Sequence, residues 1–179
     1  ARDLTPLTPA LPEDLKPRIT VALARFTGQT APALAILPRQ VIHGDFNPHN
    51  LLADPGNPTR LTGILDFGDM TLSHRICDLA VAASYLIDPA DPTSLLIPLT
   101  QAYHQANPLT ESELRLLPDL ITARLVTTLV ISAWRAARYS ENAPYILRNA
   151  PTSRAGLAAL TDPAALTETL LQTCESQTT

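Results

Sequence analysis

Asp45, Asn50 and Asp66 are the residues of this chain whose types and spacing could do chemistry. Asp45 and Asn50 lie five residues apart in His-Gly-Asp-Phe-Asn-Pro-His-Asn at 43–50, and Asp66 follows the apolar run at 61–65. Phosphoryl transfer requires a carboxylate that orients the attacking hydroxyl and takes its proton, together with oxygen ligands for Mg²⁺ on the phosphates. Asn is a suitable second ligand because its amide oxygen coordinates a hard cation without adding negative charge. The pattern predicts a phosphoryl-transfer loop.

Short strands must position these side chains. Pro48 fixes one φ and removes a backbone donor, so a loop is expected between Asp45 and Asn50. Strands are predicted over 40–43 and 51–53, on either side of that loop. After a turn cluster at 54–58, a third strand is predicted to end at Leu65, directly before Asp66. Gly68 then permits a sharp turn. We therefore expect a short β-hairpin that carries the catalytic loop.

Helices are expected in the rest of the chain. An amphipathic helix is predicted from Pro12 to Phe26, with Gly28 placed as its stop. After Asp66 the strand signal vanishes, and the remaining sequence predicts helices over 78–87, 93–105, from a capping box at 110–113, over 120–139 with Pro118 in its first turn, and from Thr161-Asp162-Pro163 to Leu171. The predicted fold class is α+β and mostly helical, with residues 1–179 as one domain.

The two motifs resemble those of a known family. His-Gly-Asp-Phe-Asn-Pro-His-Asn at 43–50 and Leu-Asp-Phe-Gly-Asp at 65–69 are similar to the motif pair of the aminoglycoside phosphotransferase and choline kinase family, a branch of the protein-kinase-like fold. The resemblance implies Mg²⁺ and ATP as cofactors, Asp45 as catalytic base, and Asn50 and Asp66 as Mg²⁺ ligands. It also implies that His43 shapes the loop and that Asp78, in Cys-Asp-Leu-Ala, braces it.

Within this family, Gly-Ile-Leu-Asp-Phe-Gly-Asp-Met at 63–70 is similar to the hydroxylysine kinase group and to kinase domains fused to certain class III aminotransferases. The implied acceptor is a small amine-containing alcohol, with a hydroxylated amino acid such as 5-hydroxylysine favoured. Aminoglycoside, homoserine-like and choline-like acceptors remain open, as do fused domains.

The sequence departs from the family at its beginning. A complete member carries an N-terminal lobe with a phosphate-covering Gly-rich loop and a strand lysine. No such loop precedes Asp45, and Lys16, the one lysine of the chain, lies in a predicted helix. The chain also begins at Ala1 rather than at a methionine. We therefore expect a C-terminal lobe whose N-terminal nucleotide-binding lobe is absent, and whose kinase activity alone is weak or absent.

Composition excludes some functions. With 13 Lys and Arg against 17 Asp and Glu, the net charge of −4 gives no basic footprint for nucleic acid. The apolar run at 79–87 is shorter than the roughly 20 residues of a membrane span, and the N-terminus has no signal-peptide pattern, so neither a membrane nor an export route is expected. The expected compartment is the cytoplasm. Cys77 and Cys174 have no ligand spacing and are expected to be ordinary thiols.

Four further side chains could contact the substrate. His49 could face substrate or solvent, and Asp69 could be a substrate-side carboxylate or a turn cap. Trp134 and Arg135 lie on the longest predicted helix, where core packing and a solvated basic face compete with a role in a substrate wall.

Two other functions are open to this sequence. A two-metal phosphoesterase could use Asp, Asn and His around a bridging water, with Asp45, His49, Asp66, Asp69 and His74 as the candidate ligands. A non-catalytic helical module that binds substrate or another protein is the second alternative. The presence of Asp45, Asn50 and Asp66 argues against this second alternative, because a purely structural module does not need three oxygen ligands.

Overall fold

Helices make up most of residues 3–175, the part of the chain that the computed structural model describes. In chain order they are α1 (Lys16–Arg25), α2 (Ala31–Leu34), α3 (Arg75–Ser84), α4 (Leu96–Ala106), α5 (Glu111–Arg138), α6 (Ala143–Ile146), α7 (Ala150–Ala159) and α8 (Pro163–Glu175). Four short strands precede α3, namely β1 (Arg39–Ile42), β2 (Leu51–Asp54), β3 (Asn57–Ile64) and β4 (Thr71–His74). The α+β, mostly helical fold class is confirmed.

The strands form two separate antiparallel pairs. β1 pairs with β4, with Ile42 opposite Thr71, and β2 pairs with β3, with Leu51 opposite Ile64. The segment 43–50 therefore joins one sheet to the other, instead of lying within a single hairpin. The prediction that no strand follows Asp66 was wrong, because β4 lies there. With only four residues, β4 is too short to show an alternating pattern in the sequence.

Gly28 does not end the first helix. It lies in a π-helical turn, Phe26–Thr30, that connects α1 to α2 without a break. A glycine inside a helix costs only about 1 kcal/mol, which packing can offset. Thr30, 1% exposed, supplies part of that packing, and its hydroxyl donates to Asp119 Oδ2 at 3.1 Å.

α5 is the central helix of the fold. The predicted capping box is present, since Thr110 Oγ1 accepts from the Glu113 N–H and Glu113 Oε2 accepts from the Thr110 N–H. Pro118 does not restart a helix as predicted but lies inside α5, where it is buried beside Leu117 and Ile121. Burial of this apolar face compensates for the backbone hydrogen bond that a proline removes.

The hydrophobic core surrounds α5, which packs against α1, α3, α7 and α8. Its most buried apolar side chains come from several helices, and include Ile19, Ile76, Leu96, Leu117, Ile121, Leu125, Leu157 and Leu170. Within residues 3–175, α5 is also the one helix long and apolar enough to cross a membrane by length and composition. Its contacts with six other helices make it the core helix of this fold.

Candidate active site

His43 and Asp78 fix the backbone that leads into the loop at 43–50. Asp78 Oδ2 accepts from the His43 N–H at 3.1 Å, and Asp78 Oδ1 accepts from the Gly44 N–H at 3.0 Å. The buried His43 ring donates from Nε2 to the Leu65 carbonyl at 2.8 Å, while Nδ1 accepts from the Asp45 N–H at 3.3 Å. One tautomer satisfies both ring nitrogens, so His43 connects the loop to the end of β3.

Gly44 lets the loop lie against the turn between β3 and β4. Its φ of +82° is a conformation that side chains disfavour, and a Cβ there would meet the Asp69 carbonyl oxygen. Asp69 is exposed in a short 3₁₀ turn, Phe67–Asp69, so its backbone lies against the loop while the residue is in contact with solvent.

The Asp45 carboxylate is held from two sides. Its Oδ1 accepts from Arg124 Nη2 at 2.6 Å, and its Oδ2 accepts from Asn47 Nδ2 at 3.0 Å and Asn50 Nδ2 at 3.4 Å. Both amides also donate to the Asp45 carbonyl at 3.0 Å. The Asp45 side chain is 26% exposed. The carboxylate is therefore oriented by the protein and still accessible to a substrate hydroxyl.

Asn47 organises the turn that carries Asn50. It is buried, and its Oδ1 accepts from the His49 N–H at 2.9 Å, which caps the 3₁₀ turn Pro48–Asn50. Because Asn50 uses its amide nitrogen on Asp45, its amide oxygen is left as an acceptor. The His49 side chain is exposed.

The backbone brings Asp66 next to Asn50. The N–H of Leu65, the residue before Asp66, donates to the Asn50 carbonyl at 2.8 Å. Asp66 adopts the left-handed conformation, with φ of 60° and ψ of 66°, and is the one non-glycine residue with positive φ within 3–175. Such conformations cluster at functional sites, where the surrounding structure enforces them. The backbone segments that carry Asn50 and Asp66 are thus adjacent, and both residues have side-chain oxygens, the ligand type that Mg²⁺ prefers.

Trp134 and Arg135 lie farther along α5. Both side chains are exposed, and the Arg138 guanidinium lies 5.9 Å from the centre of the Trp134 ring. They follow Arg124 by 10 and 11 residues, which is about 15 Å along a helix axis.

Two residues of the site, Asn47 and Arg124, were not predicted. Asn47 had a readable signal, because an Asn directly before a proline at the start of a turn is a typical cap. Arg124 had none, because it is 79 residues from Asp45 in sequence. Only the packing of α5 brings it there.

A cavity of about 470 Å³ adjoins this site between α2, α3, α5 and the β1–β4 sheet. Arg124 lines the cavity and also contacts Asp45. Cys77 lines it too, and burial raises the pKa of its thiol to about 11, so the thiol is protonated at neutral pH. A larger cavity, of about 780 Å³, is lined by residues of α1 and α5 and by none of residues 43–50.

His74 does not join the candidate ligands of the two-metal alternative. Its Nδ1 lies 3.0 Å from the Leu37 carbonyl, and its side chain lines the smaller cavity. In the described part of the chain, no three His, Cys, Asp or Glu side chains are placed to hold a metal ion together.

Comparison with known proteins identifies the family. The model of the phosphotransferase enzyme family named APH matches residues 2–117. Hydroxylysine kinase of Danio rerio is 33% identical over 138 residues, covering 75% of this chain and 38% of that protein. Hydroxylysine kinase of Mus musculus is 31% identical over 127 residues, covering 67% of this chain and 34% of that protein. The chain thus spans little more than a third of the length of these curated relatives.

A solved structure supports the same fold. The GDP complex of a mutant aminoglycoside 2′-phosphotransferase-IIIa superposes with a TM-score of 0.56 at 23% identity, over 85% of this chain and 49% of that one. Since the family match covers the segment that holds Asp45, Asn50, Asp66 and Asp78, the chain belongs to the phosphotransferase enzyme family APH.

Proposed function

We propose that this chain is the C-terminal lobe of a kinase that transfers the γ-phosphate of ATP to a hydroxyl of a small amine-containing acceptor. An acceptor like 5-hydroxylysine is favoured. The family match supports phosphotransfer, and the names of the relatives from Danio rerio and Mus musculus support the acceptor class.

The observation that carries this proposal is the set of hydrogen bonds that orients the Asp45 carboxylate. A general base must be oriented, accessible and supplied with hydrogen bonds that hold its carboxylate in one geometry. Arg124 on one oxygen, with Asn47 and Asn50 on the other, supplies that orientation. In the proposed reaction Asp45 accepts the proton of the acceptor hydroxyl as that oxygen attacks the γ-phosphorus.

Asn50 and Asp66 are proposed to hold Mg²⁺. Their adjacency through the Leu65–Asn50 hydrogen bond and their oxygen donors fit a hard cation that keeps water and phosphate as its other ligands. When bound, Mg²⁺ would neutralise charge on the nucleotide phosphates.

The exposed Asp69 carboxylate beside the loop is a candidate partner for an ammonium group of the acceptor, and His49, Trp134 and Arg135 remain candidates for the rest of its binding site.

We also propose that a second lobe covers the nucleotide. Among residues 3–175 no Gly-rich phosphate loop is present, and Lys16 Nζ lies 2.5 Å from Glu13 Oε1 at the start of α1. The strands and their turns expose an apolar surface that such a lobe would bury, made of Val41, Leu52, Leu61, Ile64, Leu65, Phe67, Met70 and Leu72. We expect the isolated 179-residue chain to transfer phosphate weakly or not at all.

The test is a transfer assay on the protein in its full natural length. ADP release with Mg²⁺-ATP would be measured against 5-hydroxylysine, homoserine, choline and an aminoglycoside, and the product identified by ³¹P NMR. Asp45→Asn should lower kcat on the order of 10²- to 10⁴-fold. Asp54→Asn, at the end of β2 where Asp54 Oδ1 accepts from the Gly56 N–H, is the matched control and should keep wild-type activity.

Two results would overturn the proposal. Equal activity of Asp45→Asn and wild type would remove Asp45 from the role of base. Tight binding of an acceptor without any transfer by the full-length protein would favour the non-catalytic binding module.

A further inference from the structure

Arg124 stands between Asp45 and the cavity of about 470 Å³. Its Nη2 donates to Asp45 Oδ1 at 2.6 Å, and its side chain lines the cavity. Its Nε is the one buried side-chain nitrogen or oxygen within residues 3–175 that lacks a hydrogen-bond partner. A guanidinium carries five N–H donors in a planar fork, so this side chain has donors beyond the one that it uses on Asp45.

The cavity has the chemistry of an anion site with apolar walls. Arg39 and Arg124 contribute to its lining, and none of its lining residues is Asp or Glu. Arg39 Nη2 donates to the Leu72 carbonyl at 2.8 Å, which holds that guanidinium at the β1–β4 sheet. The other walls are mostly small or apolar, including Ala31, Ala80 and Ala123. A carboxylate entering this cavity would meet the Arg39 and Arg124 guanidinium groups and no Asp or Glu of the lining, and it would share Arg124 with the Asp45 carboxylate.

We propose that Arg124 binds the carboxylate of the acceptor while it holds Asp45, and that it thereby selects amino acids over simple amino alcohols. This inference rests on the proposed function and makes its substrate class specific. One guanidinium would contact both the base and the far end of the acceptor. It would therefore set the distance between the carboxylate that is bound and the hydroxyl that reacts.

The side-chain type fits this role. Arginine forms paired hydrogen bonds with carboxylates in a fixed plane, whereas lysine acts as a point charge that reaches one partner at a time. Nη2 donates to Asp45, and Nε is buried, so Nη1 is the donor that a ligand carboxylate in the cavity would contact.

The experiment compares 5-hydroxylysine with 5-hydroxylysinamide, which has the same shape and amines but no carboxylate. Calorimetric binding and steady-state transfer would be measured on the protein in its full natural length. Wild type should prefer the acid about 10- to 100-fold in Kd and KM, the size of one charge-assisted hydrogen-bonded pair. Arg124→Gln should bind acid and amide alike, and Arg124→Lys should keep part of the preference.

Arg115→Gln is the matched control. Arg115 lies on the same helix, is 50% exposed and pairs with Glu111, so its loss should leave the preference unchanged. Thermal unfolding would verify that each variant is folded, and Arg124→Lys keeps the test decisive if Arg124→Gln does not fold.

The outcomes separate this inference from the proposed function. If the wild-type protein phosphorylates the acid and the amide equally well, the proposed role of Arg124 is overturned and the kinase assignment stands. A preference that survives in Arg124→Gln, with only kcat reduced, would also overturn it and make Arg124 a positioning residue for Asp45. Acid-selective, Arg124-dependent binding without phosphate transfer would support this inference and overturn the kinase assignment. Failure of both ligands to bind would overturn the inference.

Discussion

Gly44 and Asp69 approach so closely that a Cβ added at position 44 would lie 2.5 Å from the Asp69 carbonyl oxygen. The start of the loop at 43–50 therefore packs against the connection between β3 and β4, which includes Asp66. The geometry of the two motifs is therefore coupled through the backbone as well as through their side chains.

Gly44→Ala should be strongly destabilising. It combines a left-handed backbone that costs about 1–2 kcal/mol for a residue with a Cβ and a steric overlap that costs about 1–3 kcal/mol. Urea unfolding should therefore give a free energy of unfolding lower by about 2–5 kcal/mol. Gly28→Ala is the control, since nothing lies within 4 Å of its Cβ position and its helical backbone favours alanine by about 0.5–1 kcal/mol. Similar losses in both variants would contradict this account of Gly44.

Asp78→Ala should loosen the loop at 43–50, although Asp78 is not proposed to contact the substrate. It removes the acceptor of two backbone N–H groups, those of His43 and Gly44, each of which costs about 1–3 kcal/mol when left unpaired. We expect the free energy of unfolding to fall by about 2–4 kcal/mol and kcat to fall because Asp45 is no longer held in place. Asp91→Ala, which breaks an exposed turn contact to the Thr93 N–H, should cost less than about 1 kcal/mol. Equal losses for the two aspartates would refute the bracing role.

The sequence located the candidate site better than its surroundings. Asp45, Asn50 and Asp66 could be singled out because residue type and short spacing within two motifs mark them, and their roles stay predictions. Asp78 followed from the same family pattern, and the capping box at Thr110 follows from local hydrogen bonding. The motifs and the capping box are each decided by residues a few positions apart, whereas Asp78 was found through the family pattern, since it contacts residues 34 and 35 positions earlier.

The errors came from effects that act over long distances in sequence. Gly28 and Pro118 signal helix breaks, but packing around α5 outweighs a local cost of about 1–3 kcal/mol. β4 exists because β1 offers it a partner much earlier in the chain, with Arg39 opposite His74 and Ile42 opposite Thr71. Arg124 reaches Asp45 only after α5 has docked in the core, and no local pattern marks it.

The ion pair of Glu113 with Arg75 should make stability depend on acid. Arg75 Nε and Nη2 donate to the two carboxylate oxygens of the fully buried Glu113, both at 2.7 Å. Burial acts to raise the pKa of Glu113, but the Arg75 pair and the Thr110 hydrogen bonds outweigh it and hold that pKa below its ordinary value. The unfolded state therefore binds this proton more readily, and the stabilisation is present at neutral pH and lost as pH falls through the folded pKa.

Glu113→Ala should lower the free energy of unfolding at pH 7 by about 3–5 kcal/mol, because it leaves the Arg75 charge without its partner. Urea titrations from pH 7 to well below about 4.3, the ordinary pKa of a glutamate, should show a flatter pH dependence for this variant than for wild type. Glu111→Gln, in the same helical turn but 65% exposed, should change both quantities little. A wild-type pH dependence that persists in Glu113→Ala would assign the acid sensitivity to other carboxylates.

Asp66 should show a conflict between stability and function. Its left-handed backbone is unfavourable for a residue with a Cβ, and the relief of that strain makes Asp66→Gly more stable than wild type by up to about 1 kcal/mol. The same variant loses the carboxylate proposed to hold Mg²⁺, so Mg²⁺-dependent ATP binding by the full-length protein should be lost. Asp66→Ala separates the two effects, since it removes the carboxylate but keeps the strained backbone, and it should lose binding without gaining stability. Calorimetry and urea unfolding on both variants measure the two quantities independently. Retained Mg²⁺-ATP affinity in either variant would remove Asp66 from the metal site, whereas equal stability of the two would show that the left-handed backbone at position 66 carries no strain.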